Sequence, residues 1–172
     1  MDKYIYFAAE MPGLKWGSEQ LMSEEDFLEE AEKWMTSTDY AGLTETLVNR
    51  YKAENISGMY NDFLIFENEL RTELAEYRRA VKEGYEYKFL HLPPQLIKDG
   101  NPLEIELKLM KYRWDWLDER EFGHYSDLDF FVLYYLKLQL LQRVASFKKE
   151  LGEEAFENLI KQNLENTDEA SS

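Results

Sequence analysis

Apolar residues recur along most of this chain at helical spacing. After Ser23, Phe27, Leu28, Ala31, Trp34 and Met35 fall on one helical face. Ser23 with Asp26 forms an acidic variant of the capping box, and Glu24 and Glu25 suit the positive end of the helix dipole. Thr36 to Thr38 interrupt the pattern, with Ser37 or Thr38 as the next cap. A second helix then carries Tyr40, Leu43, Leu47 and Tyr51. Residues 52–58 read as a loop. A long helix follows over 59–82, with Tyr60, Phe63, Leu64, Leu70, Leu74, Tyr77 and Val81 in its stripe. Glu67 stands where that stripe expects an apolar residue.

Gly84 ends this helix, and residues 85–102 are irregular yet apolar. Such a loop packs on the core or on a partner. Pro102 opens the next helix at its favoured first position. Over 102–120, Leu103, Leu107, Met110, Trp114 and Leu117 make one stripe. Ile105, Leu109, Tyr112 and Trp116 make a second. A helix apolar on two sides has neighbours on both or offers one side to a partner. Gly123 closes the link, and Ser126 is expected to cap the last long helix. That helix carries Leu128, Phe131, Tyr135 and Leu138 on one face and Phe130, Leu133, Leu140 and Val144 on another. Gly152 breaks it, and Ala155, Phe156, Leu159 and Ile160 suggest a short final helix.

Two ends complete the pattern. Residues 3–9 are apolar on both alternating sides, which predicts a short buried strand or an extended arm before Pro12 and Gly13. Residues 163–172 read as a disordered acidic tail. The fold expected is therefore all-α: an irregular bundle of five to six helices with a short N-terminal strand or extended arm, one domain over 1–162.

Composition narrows the function. The 172 residues include 10 Phe, 12 Tyr and 4 Trp, ample for a core. The net charge of −15 repels nucleic acid and anionic lipid, so neither is an expected partner. The absence of cysteine excludes disulfides, thiolate zinc sites and cysteine nucleophiles. No run approaches a membrane span or a signal peptide, so a cytoplasmic location is expected, peripheral to the inner membrane only through a complex.

Candidate chemistry is sparse. With 35 acidic residues, a sequence pair of carboxylates carries no information by itself. Glu67 and Glu104 stand out because they lie on or beside apolar stripes. The expected reading is an ion-pair network of Glu67, Arg71, Arg78, Glu104 and Arg113, since buried acids need partners. His91 and His124 lie in different loops and offer no metal-ligand spacing. The scattered glycines form no nucleotide-binding motif. No catalytic, cofactor-binding or metal-ligating residue is assigned, and no cofactor is expected. Of Trp114 and Trp116, one is expected in the core and the other at an interface. Leu92, Ile97, Tyr112 and Trp116 are the candidate partner-binding residues.

Three segments carry a resemblance. YIYFAAEMPGLKWG with MSEEDFLEEA, FENELRTELAEYRRA, and NPLEIELKLMKYRWDWLDE with DLDFFVLYYLKLQLLQR resemble a bacterial family encoded beside subunits of V/A-type rotary ATPases. The last pair is also similar to the helical units of the rotary ATPase central-stalk subunit called C in bacteria and d in eukaryotes. The chain is shorter than that subunit and has room for one or two such units. The resemblance implies a non-catalytic stalk, accessory or assembly role through contacts with rotary ATPase subunits. Two alternatives stand beside it. One is a free-standing helical adaptor or homodimer. The other is a hydrolase using Glu67, Glu104 or His124 in an inter-helix pocket.

Overall fold

A computed structural model describes residues 2–19, 22–48 and 58–170. Of the loop expected over 52–58, residues 52–57 lie outside them, as does Tyr51, and Gly58 opens a helix. The described residues form eight helices and no strand: α1 (Asp2–Glu10), α2 (Glu24–Trp34), α3 (Ser37–Val48), α4 (Gly58–Glu83), α5 (Gln95–Lys98), α6 (Pro102–Glu121), α7 (Leu128–Leu151) and α8 (Glu153–Ala170). The all-α class holds. The five or six helices expected become eight because α1 and the four-residue α5 add to the count.

The expected N-terminal strand or arm is a helix instead. Its apolar residues suit either period, and packing decides between them. Tyr4, Phe7 and Ala8 share a helical face and meet the core together, with Phe7 buried. A strand would have turned Tyr4 and Phe7 to opposite sides. Helix α8 runs on to Ala170, through residues expected to begin the acidic tail.

Helix α7 is the centre. It packs against α2, α3, α4, α6 and α8. Neighbours on all sides explain why Phe131 to Leu138 are buried without a break, Lys137 among them. A first apolar cluster joins α1, α2 and α3 to the front half of α7. A second joins α4, the 85–98 strap and α6. A third joins α6, the back half of α7 and α8. Phe63 and Trp116 border the first two clusters, and Leu140 borders the first and third.

Three local readings need correction. The Thr36 hydroxyl accepts from Asp39 N at 3.2 Å, so Thr36 takes the capping role expected of Ser37 or Thr38. Asp127, not Ser126, caps α7 by accepting from Phe130 N at 2.9 Å. The carboxylate is placed one residue nearer the first free N–H groups. Val81 is 62% exposed and Ala80 takes its place in the core, because the stripe drifts over a helix this long.

One backbone position ties the N-terminal loop to α8. Gly17 has φ +70°, and a Cβ there would stand 2.7 Å from Ile160 Cγ2. Gly17→Ala is therefore expected to destabilise the protein by about 1–3 kcal/mol. Gly42→Ala, in helical backbone with open space at its Cβ, serves as the control and is expected to be neutral or slightly stabilising. Thermal unfolding of both variants checks this.

Candidate functional site

Among the described residues, the buried charged side chains Glu67, Glu73, Lys111 and Lys137 are each held by a partner. Glu67, 9% exposed, receives Arg113 through Nε, with Nη2 at 3.4 Å on its second oxygen. Arg71 approaches at 3.5 Å from one turn along α4. The structure thus brings together Glu67, Arg71 and Arg113. Arg78 is exposed further along α4 and joins none of these pairs. Glu104 departs from its expected arginine pairing. It closes a capping box with Asn101, accepting from Asn101 N at 3.0 Å and Nδ2 at 2.9 Å. An acid three residues past an Asn cap is better placed to satisfy free N–H groups than to reach across to a neighbouring helix.

Two lysines on the α6–α7 hairpin are also buried. Lys111 pairs with Asp115 one turn on. Lys137 reaches Asp118 at 2.7 Å and also Glu121, with its ammonium 5.2 Å from the Trp114 ring. This clamp fastens the end of α6 to α7 just before the turn that joins them.

That turn carries the most exposed aromatic residue of the described chain. Phe122 is 89% exposed and Tyr125 is 68% exposed, on either side of Gly123 and His124. The turn is not loose. His124 N donates to Glu121 O at 3.0 Å, and His124 Nδ1 lies 2.6 Å from Asp127 Oδ2. Gly123 takes φ +96°, which its missing side chain permits at little cost. The turn that carries the aromatic pair is thus held by His124 through its bonds to Glu121 and Asp127.

The groups considered for hydrolysis do not converge. Glu104 and His124 stand at opposite ends of α6, roughly 30 Å apart for a 20-residue helix. Glu67 lies across from its middle and is paired with arginine. Among the described residues, no group of acids and histidines is arranged to hold a metal ion. No described helix is long and apolar enough to cross a membrane.

Of the candidate partner-binding residues read from sequence, two are buried and two remain half-exposed. Leu92 and Ile97 are 2% and 7% exposed, inside the second cluster. They are core residues because the strap folds down onto α4 and α6. Tyr112 is half-buried against Phe66 at 5.6 Å, and its hydroxyl donates to His91 O at 3.4 Å. Trp116 is half-buried between Phe66, stacked at 4.9 Å, and the Arg120 guanidinium, 3.6 Å above its ring. Trp114 is the fully buried tryptophan of the pair. The exposed tip aromatics Phe122 and Tyr125 are not among the residues that the sequence pattern singles out. Their signal was present: large aromatics flanking a glycine in a turn, outside any stripe.

The strap itself hangs on one carboxylate. Glu73, buried on α4, accepts from Leu90 N, from His91 N at 3.1 Å and from Leu92 N at 2.8 Å. Burial pushes the Glu73 carboxyl up, but the three N–H donors together outweigh it and hold the group below its ordinary value. The anchor is therefore fully in place above the ordinary glutamate value and is lost as pH falls through the lower folded value. The Leu90–Leu92 amide resonances are expected to titrate over that window. Glu73→Gln is expected to abolish the titration and to cost about 2 kcal/mol.

Residues 88–167 match a family described as "Protein of unknown function (DUF2764)". That span takes in the strap from Lys88, α5, the whole hairpin and most of α8. No curated protein and no solved structure matches the chain.

Proposed function

We propose that this protein is a non-catalytic accessory or assembly component of a V/A-type rotary ATPase, and that it binds its partner through the α6–α7 hairpin tip. The observation that carries the docking part is the pair Phe122 and Tyr125, 89% and 68% exposed on a hydrogen-bonded turn. Exposed large aromatics on rigid backbone bind at low entropic cost, and aromatic anchors dominate interface energies. The buried charged residues Glu67, Glu73, Lys111 and Lys137 support a scaffold over an enzyme, because each is held by a partner within the fold. The ATPase part rests on the resemblance of three chain segments, the last of which is this hairpin.

The test is affinity capture of the tagged protein from its host after gentle solubilisation, with mass spectrometry of what is bound. Stoichiometric rotary ATPase subunits support a resident component. Substoichiometric recovery supports an assembly factor. Their absence, with the ATPase shown to be expressed, overturns the reading.

A further inference from the structure

Residues 85–89 of the strap run without helix, turn or bend. From Glu86 to Leu90 the side chains alternate as a strand's do, while Tyr85 is exposed. Tyr87 and Phe89 turn inward, within 6.5 Å and 5.2 Å of the Tyr77 ring, while Glu86, Lys88 and Leu90 are exposed. Strands normally pair, yet here the backbone N–H and C=O groups of 86–89 have no hydrogen-bond partner among the described residues. The strip is an edge with no sheet.

It is also held in shape. Tyr87 Oη donates to Glu76 Oε2 at 3.0 Å at one end, and the Glu73 carboxylate grips the N–H groups of Leu90 to Leu92 at the other. Beside it opens a hollow of about 660 Å³. In a chain of net charge −15, this hollow is lined by two lysines, Lys88 and Lys98, and one carboxylate, Glu86, while the Glu73 and Glu76 carboxylates are engaged by the strip itself. The Lys98 ammonium lies 5.7 Å from the Phe89 ring, at the hollow's wall.

We propose that residues 86–89 form a docking strand for an extended, acidic segment of a partner protein. The segment adds alongside the strip through main-chain hydrogen bonds, and its carboxylates face Lys88 and Lys98. Main-chain pairing supplies affinity in this mode of recognition and side-chain chemistry supplies selectivity. The proposal does not depend on the ATPase reading or on the hairpin tip.

The experiment uses the full chain and synthetic peptides: one alternating glutamate and valine, a lysine-for-glutamate counterpart, and the acidic peptide with a central proline. Binding is read by fluorescence anisotropy, and pairing by amide hydrogen exchange at 86–89. The acidic peptide is expected to bind and to slow exchange at 86–89. The proline peptide, which cannot continue a ladder, is expected not to bind. Lys88→Glu with Lys98→Glu is expected to weaken binding about tenfold or more with unfolding temperature unchanged. Failure of the acidic peptide to bind overturns the proposal, as does binding without slowed exchange or equal binding of the basic peptide. Slowed exchange that instead follows the protein's own concentration makes a second copy the occupant, and also overturns it.

Discussion

Glu67→Ala is expected to destabilise the protein by about 3 kcal/mol, at the lower end for breaking a buried ion pair. The carboxylate sits in the apolar stripe of α4, and Arg113 grips it across the helix interface with two nitrogens. Its removal leaves the Arg113 side chain, 17% exposed, facing apolar surroundings without a counter-charge. The figure is kept low because that residual exposure lets water reach the guanidinium. Arg71, 49% exposed, adds little to the pair. Replacing both partners, Glu67→Met with Arg113→Leu, is expected to recover most of the loss, because no unpaired charge then remains. Urea unfolding of the single and double variants decides it. A neutral single variant, or a double variant as weak as the single, contradicts this account of the α4–α6 contact.

Phe131→Ala is expected to cost about 4 kcal/mol. Phe131 is fully buried where α1 meets α7, stacked on Phe7 at 4.7 Å and edge-on to Tyr4 at 5.5 Å. Phe7 in turn stacks on Phe27 of α2 at 5.9 Å. Truncation leaves a cavity that rigid helices fill poorly. It also removes the support of α1, whose nine residues are too few to stay helical alone. Two results are therefore expected together: a lower unfolding midpoint and faster proteolysis within residues 2–10. Phe131→Leu, which retains most of the volume, is expected to lose under about 1.5 kcal/mol. Intact protection of α1 in Phe131→Ala would show that the Phe7–Phe27 stack and the Tyr4 hydroxyl's bonds to Asp39 and Thr36 suffice to hold that helix.

Much of the fold was legible because the chain's long helices announce themselves in several ways at once. Helix α6 has Asn101 before Pro102, Glu104 at the third position and two apolar stripes. All of these agree with its observed start and its two-sided packing. Helix α1 was misread because a short run apolar on both sides fits two periods, and only the position of Phe131 chooses between them. The ionic contacts were half legible. Glu67 in an apolar stripe demanded a cation and found Arg113. Glu104, beside a stripe but in a first turn, was claimed by the nearer backbone instead. Whether Leu92 and Ile97 meet the core or a partner is open in sequence, because no periodicity marks a strap that folds back onto helices. Their burial depends on Glu73 pinning the strap, a contact spanning 19 residues to Leu92. The hairpin tip escaped for the opposite reason. Phe122 and Tyr125 flank a turn glycine outside any stripe and stay exposed, so a reading built on apolar stripes passes over them.

The central claim is that the α6–α7 tip is the docking surface. The most direct measurement compares the full-length protein with its Phe122→Ala, Tyr125→Ala double variant for binding to the purified rotary ATPase subunit recovered with the wild-type chain. Calorimetry gives the affinity, and thermal unfolding is run in parallel. Two aromatic anchors lost from one interface are expected to weaken binding by about a hundredfold or more. The unfolding temperature is expected to stay unchanged, because neither side chain is in the core. Unchanged affinity in a folded double variant would contradict the assignment of the tip as the docking surface.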